Sequence, residues 1–162
     1  MNNTKKMTVA GVLIALGVCL STFYIPLGVA KAFPIQHTIN VIAGVFLGPL
    51  YAVLMAFCTS LIRGFIGTGS LLAFPGSMVG ALVCGLLYKK TKKISLAFIG
   101  EVIGTGILGA IVAYPVATLL LSREAAMFAF VIPFMISSFI GAIISLIFIY
   151  ALKKAKVLDK LF

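Results

Sequence analysis

The chain predicts an all-α integral membrane fold: a six-transmembrane-helix bundle with both termini cytoplasmic, forming one domain over residues 1–162. Three observations point there. Apolar residues make up 62% of the 162 positions, well above the roughly 45–50% of soluble domains. Charged residues make up only 10%, and the mean hydropathy is +1.25, so the polar side chains are too few to cover a soluble surface. Lysines cluster at places separated by even numbers of apolar runs. At about 20 apolar residues per crossing, the length accommodates six or seven spans and no large extramembrane domain. The same composition excludes a disordered chain and a disulfide-built secreted module.

The spans follow from long apolar runs between polar punctuation. The first covers about Met7–Tyr24. Lys5-Lys6 before it imitates a signal peptide, but no small-x-small cleavage site follows, and Val18 is a poor residue before a lipoprotein cysteine. A polar, proline-marked segment, Pro26–His37, comes next. The apolar stretch Thr38–Ile62 is broken by Gly48-Pro49, and because proline opens a helix better than it continues one, two short spans are expected, at 34–47 and 50–63. A glycine-rich loop at 64–77 leads into a fourth span at 75–88. The fifth and sixth cover 94–121 and 125–152. No internal repeat or linker interrupts them.

Charge placement tests this count, because cytoplasmic loops collect Lys and Arg. With six spans, Lys5, Lys6, Lys89, Lys90, Lys92, Lys93, Lys153, Lys154, Lys156 and Lys160 all fall inside, and only Lys31, Arg63 and Arg123 fall outside. Five spans would put the Lys89–Lys93 cluster opposite the N-terminus, whereas a re-entrant pair at 38–62 would preserve the orientation. The net charge of +10 is thus a topology signal, with some attraction to anionic membrane lipid, and does not indicate nucleic acid.

Polar side chains inside spans are costly and are either paired or functional. Gln36, His37 and Asn40 are three and four residues apart and share a helix face, either as a rim for a small heterocyclic solute or as caps and water contacts. Thr59, Ser60 and Arg63 sit at the outer end of the third span, where Arg63 either meets a ligand oxygen or snorkels to headgroups. The loop Gly67-Thr68-Gly69-Ser70, followed by Phe74-Pro75-Gly76-Ser77, has neither the third glycine of a dinucleotide fingerprint nor the Gly-Lys-Ser/Thr of a P-loop. Its amides are candidates for ligand binding, and a simple turn is the alternative. Glu101 is the acid placed inside an apolar helix, with Thr105, Leu108 and Val112 on its side at helical spacing. Arg63, His37 or a ligand is its expected partner, unless it is a neutral structural carboxyl. Further along, Tyr114-Pro115 predicts a kink that suits a pocket wall. Glu124 and Asp159 are the other acids. Cys19, Cys58 and Cys84 lie far apart in apolar runs and form no metal or disulfide pattern. Small-residue stripes at Gly11, Ala15, Cys19 and at Ser137, Gly141, Ser145 allow close helix packing. The first of them, on a helix nearly free of polar residues, is also a candidate partner face.

No nucleophile–base pair is apparent for an intramembrane enzyme, and no filter motif for a channel. A proton-coupled carrier acting as an oligomer, with Glu101 as its coupling site, is one reading. A solute-binding subunit that borrows its energy from partners accounts better for polar residues near the outer face and for the lack of an ATPase motif.

The runs KAFPIQHTINVIAGVFLGPLYAVLMAF (31–57), GTGSLLAFPGSMVGAL (67–82) and GEVIGTGILGAIVAYPVA (100–117) resemble the ThiW family, the thiazole-specific substrate-binding (S) components of energy-coupling factor (ECF) transporters. The resemblance covers nearly the whole chain. It implies capture of hydroxyethylthiazole, the thiazole precursor of thiamine, and assembly with a transmembrane T component and two cytoplasmic ATPases. It also implies a toppling motion that carries the pocket inward, and no cofactor in this chain. Gly11 and Ala15 are similar to the small-xxx-small motif that S components present to the coupling subunit. A thiazole needs an aromatic or apolar slot with few polar anchors. Phe33, Phe74 and Tyr114 can supply the slot, and Gln36, His37, Asn40 and Glu101, with Thr105 beside it, can supply anchors. A phosphorylated thiazole would favour Arg63 and the loop around Thr68 and Ser70.

Overall fold

The computed structural model describes residues 2–27, 30–122 and 128–156. Arg123, Glu124, Asp159, Lys160 and the start of the sixth expected span, 125–127, lie outside the described residues. The described residues form six helices that run up and down: α1 Asn3–Cys19, α2 Pro34–Phe46, α3 Pro49–Phe65, α4 Ala73–Thr91, α5 Ile94–Leu120 and α6 Val131–Lys154. A 3-10 turn, Leu20–Thr22, extends α1. The segment expected to be irregular holds a small antiparallel hairpin, β1 Ile25–Leu27 with β2 Ala30–Ala32, in which Pro26 faces Lys31.

The break at Gly48-Pro49 has a backbone cause. Gly48 adopts φ +91° and Pro49 opens α3. A left-handed glycine followed by a proline with no N–H to donate ends one helix and starts the next.

Among the described residues three helical stretches are long and apolar enough to cross a membrane: Asn3–Thr22, Ile94–Leu120 and Val131–Lys154. Pro49–Phe65 is a shorter apolar helix. The 13 residues of α2 extend only about 20 Å at 1.5 Å per residue, less than the roughly 30 Å hydrocarbon core. In compensation α2 lies at the centre. Every residue from Pro34 to Val45 except Ile35 is buried, and all five other helices touch it. Its polar residues therefore meet protein and not lipid.

Close approach of α6 to α2 depends on Gly141, where a Cβ would strike the Pro34 carbonyl oxygen and come within 2.8 Å of His37 Cβ. Ser137, Gly141 and Ser145 are buried, so this stripe packs inside the bundle. The other stripe does not: Gly11, Ala15 and Cys19 are exposed, and α1 packs inward through Ala10 in the core and Gly17 against Thr59 and Ile39.

Helix α5 departs from ideal periodicity. It widens to π-helix at Gly104–Gly109 and again at Val116–Leu120, just after Pro115. The first widening moves the buried stripe. Glu101, Thr105, Gly109 and Ala113 face inward, while Leu108 and Val112, expected beside Glu101, are 44% and 46% exposed. An extra residue in a turn rotates every later side chain, which straight-helix spacing does not anticipate.

Candidate functional site

A cavity of about 720 Å³ opens among the end of α1, the β1–β2 hairpin, the 66–72 loop and the adjoining ends of α2, α3, α4 and α6. Its volume falls in the range of small-molecule sites. The helix directions place it at the opposite end of the bundle from Lys5 and Lys6 at the start of α1, Lys89 and Lys90 at the end of α4, and Lys153 and Lys154 at the end of α6.

The floor is set by α2 and α5. Glu101 is fully buried and does not line the cavity. Its Oε1 lies 2.8 Å from His37 Nδ1 and accepts bonds from Asn40 Nδ2 at 3.0 Å and Thr105 Oγ1 at 3.1 Å. His37 does line the cavity. With Nδ1 held by the carboxylate, Nε2 is the ring atom left to meet a ligand, and a carboxylate on one ring nitrogen fixes both the tautomer and the orientation of the other. Asn40 also bonds the Ser77 carbonyl at 3.1 Å, and like Glu101 it supports the floor from below. This arrangement needs close helices. A Cβ on Gly80 would collide with Thr105 Oγ1 and approach Glu101 Oε1 to 2.9 Å.

A second network descends from Arg63, which is 2% exposed and does not reach towards headgroups. Nη1 donates to Gln36 Oε1, Nη2 donates to the Thr68 carbonyl at 2.9 Å, and the guanidinium lies 4.4 Å from the Phe33 ring centre. Gln36 Nε2 donates to Ser60 Oγ at 2.9 Å, and Ser60 pairs with Ser77 Oγ at 3.1 Å. Arg63 therefore holds α2, α3 and the loop together. Among the described residues its ion pair with Glu101, one of the expected pairings, does not form; the partner of Glu101 is His37.

The glycine loop works differently from expectation. The Thr68 and Gly69 amides both donate to the Arg63 carbonyl, and Gly67 donates to Gly64. These N–H groups cap α3 and are not available to a ligand. What the loop offers the cavity is Thr68 and Ser70 themselves, with Thr68 Oγ1 tied to Ser21 at 3.0 Å.

Of the sequence candidates, Phe33, Gln36, His37, Arg63, Thr68, Ser70 and Thr105 line the cavity, while Phe74 and Tyr114 do not. On α4 the cavity-facing positions are Ala73, Gly76 and Ser77. Phe74, about 100° around the helix from Ala73, instead stacks edge-on with Phe57 at 5.6 Å. Tyr114 lies beyond the first π segment on a half-buried face, and its carbonyl accepts from Thr118. The aromatic wall comes from elsewhere: Tyr24 sits 6.0 Å from Phe33, and Phe130 6.2 Å from Phe134. Tyr24 carried no local signal beyond its place at the end of an apolar run. Ser137, which bonds the Phe33 amide at 3.0 Å, was visible only as a packing residue.

Comparison with known proteins adds two findings. The family described as thiamine-precursor transporter protein (ThiW) matches over residues 7–155. The chain is similar in fold to a solved structure described as the S component of a bacterial ECF transporter, with a TM-score of 0.71 and 18% identity, over 98% of this chain and 99% of that one. No curated protein matches the chain.

Proposed function

Because the chain belongs to the ThiW family of thiamine-precursor transporter proteins, we propose that it is the membrane-embedded substrate-binding subunit of an ECF-type importer and that its ligand is the thiazole precursor of thiamine, built on hydroxyethylthiazole. The observation that carries this reading is the cavity itself, which combines an aromatic wall with a few polar side chains and a single oriented imidazole on its floor. A thiazole presents an aromatic face, a ring nitrogen and a hydroxyl. The face stacks on the Phe33–Tyr24 wall, and His37 Nε2 engages one polar group.

In this reading the six-helix bundle sits in the plasma membrane with the short α2 enclosed by the other helices, the lysine-rich end faces the cytoplasm, and the cavity faces outward. A T component and two ATPases supply the energy. The exposed Gly11–Ala15 face of α1 supports a helix–helix contact with the T component, because small residues let helices approach closely.

The test is calorimetric binding of hydroxyethylthiazole, thiamine and the pyrimidine precursor to purified protein. The chain has no tryptophan, so intrinsic tryptophan fluorescence has no reporter. Selective binding of the thiazole is expected. No binding of it by folded protein would detach the thiazole assignment.

A further inference from the structure

We propose that the cavity contains a subsite for an anionic group, and that it takes the phosphate monoester of the thiazole alcohol in preference to the alcohol. The inference rests on the functional reading above and deepens it.

The charge inventory is the first argument. Lys31, His37 and Arg63 line the cavity, and among the described residues no carboxylate does. Glu101 lies beneath the floor, fully buried, with Oε1 committed to three donors.

The second argument concerns Arg63. It is 2% exposed, its two hydrogen-bonded acceptors are the neutral Gln36 and Thr68 oxygens, and its Nε has no partner among the described residues. Neutral acceptors and the Phe33 ring orient a guanidinium, but they do not neutralise it. A buried cation without a counter-ion is costly, and a ligand that brings a negative charge to this wall relieves the cost.

Lys31 supplies the second charge. Its Nζ stands 4.3 Å from the Tyr24 ring centre, and Tyr24 in turn lies beside Phe33. The wall therefore reads cation, ring, ring, cation, which matches a small heteroaromatic body carrying an anion. Thr68 and Ser70 line the same cavity. Because the Thr68 and Gly69 amides are committed to capping α3, side chains and not a backbone nest would hold the phosphate.

The experiment compares the alcohol and its phosphate monoester by calorimetry, with the protein in phosphatidylcholine nanodiscs. The ester should bind at least about tenfold more tightly. That preference should shrink at about 0.5 M salt and in Lys31→Met, a change at an exposed residue. Arg63→Lys should keep part of the preference and Arg63→Gln should lose it. The ratio of the two affinities is the readout, so a general weakening from disturbed packing does not imitate the result. Equal binding, or tighter binding of the alcohol, overturns the subsite and leaves the functional reading standing. Failure of both ligands with folded protein overturns both. Loss of ester binding when phosphatidylglycerol replaces phosphatidylcholine would assign the anion site to a lipid headgroup, and would overturn the proposal as stated.

Discussion

Glu101→Gln isolates how a residue that does not line the cavity can control binding. In the native protein one carboxylate oxygen takes three hydrogen bonds, at 2.8, 3.0 and 3.1 Å. Glutamine keeps an acceptor oxygen there, so the geometry can survive, but each bond falls from the charge-assisted class, about 1.5–3 kcal/mol, towards the neutral class, about 0.5–1.5 kcal/mol. The other oxygen, Oε2, is buried without a partner. An amide nitrogen in its place adds an unmet donor. The fold should lose about 3–5 kcal/mol and remain assembled. The ligand should feel mainly the weakened hold on His37, about 1.4 kcal/mol or tenfold in Kd. The assay is calorimetry on Glu101→Gln, His37→Ala and the double variant. If Glu101 acts through His37, its replacement should change Kd by less than about twofold once His37 is gone, giving a coupling energy of about 1 kcal/mol. An unchanged Kd in Glu101→Gln, or the same loss in both backgrounds, would refute the reasoning.

The remaining predictions concern packing and partners. Gly141→Ala should push α6 away from Pro34 and His37, costing about 1–3 kcal/mol in thermal stability and weakening ligand binding with it; unchanged melting and binding would show that the contact can relax. Gly48→Ala forces a side chain into φ +91° and should cost about 1–2 kcal/mol, measured by thermal unfolding, with the ligand Kd moving little because the turn lies at the end away from the cavity. Ala15→Leu, on the exposed face of α1, should impair co-purification with the T component while the isolated subunit binds ligand normally; intact co-purification would remove that face as the contact.

Much of this fold was legible because hydrophobic runs, prolines and lysines are local signals. The Gly48-Pro49 break, the long α5 and the start of α2 at Pro34 all follow from adjacent residues. The site was legible in part for the same reason, since Gln36, His37 and Arg63 stand out against apolar neighbours. What escaped depends on contacts distant in sequence or on helix register. The choice of His37 over Arg63 as the partner of Glu101, left open by the sequence, joins residues 64 apart. The π turn at Gly104–Gly109 turned Leu108 and Val112 outward. Six residues of the sixth expected span precede the start of α6 at Val131, of which 125–127 lie outside the described residues and Phe128–Phe130 form a turn. Phe74 was assigned to the slot as an aromatic near polar neighbours, but its angle on α4 directs it to Phe57.

The short α2 reconciles a polar site with an apolar chain. A polar side chain facing lipid is expensive, and a helix long enough to span lipid alone generally shows lipid some of its surface. Helix α2 avoids that exchange by being short and enclosed on all sides. Its cluster of Gln36, His37, Thr38 and Asn40 is hydrogen-bonded by α3, α4, α5 and α6, so the cost of burial is offset before any ligand arrives. The outer helices carry the apolar surface: α1 and α6 expose Val12, Leu16, Ile132 and Ile147. Polar binding groups can then be placed only where the central helix begins, beneath the hairpin and the 66–72 loop, which is where the cavity lies. Moving His37 one turn along α2, to position 41, would put it against the packed core around Cys84 and Ala142, away from the residues that line the cavity.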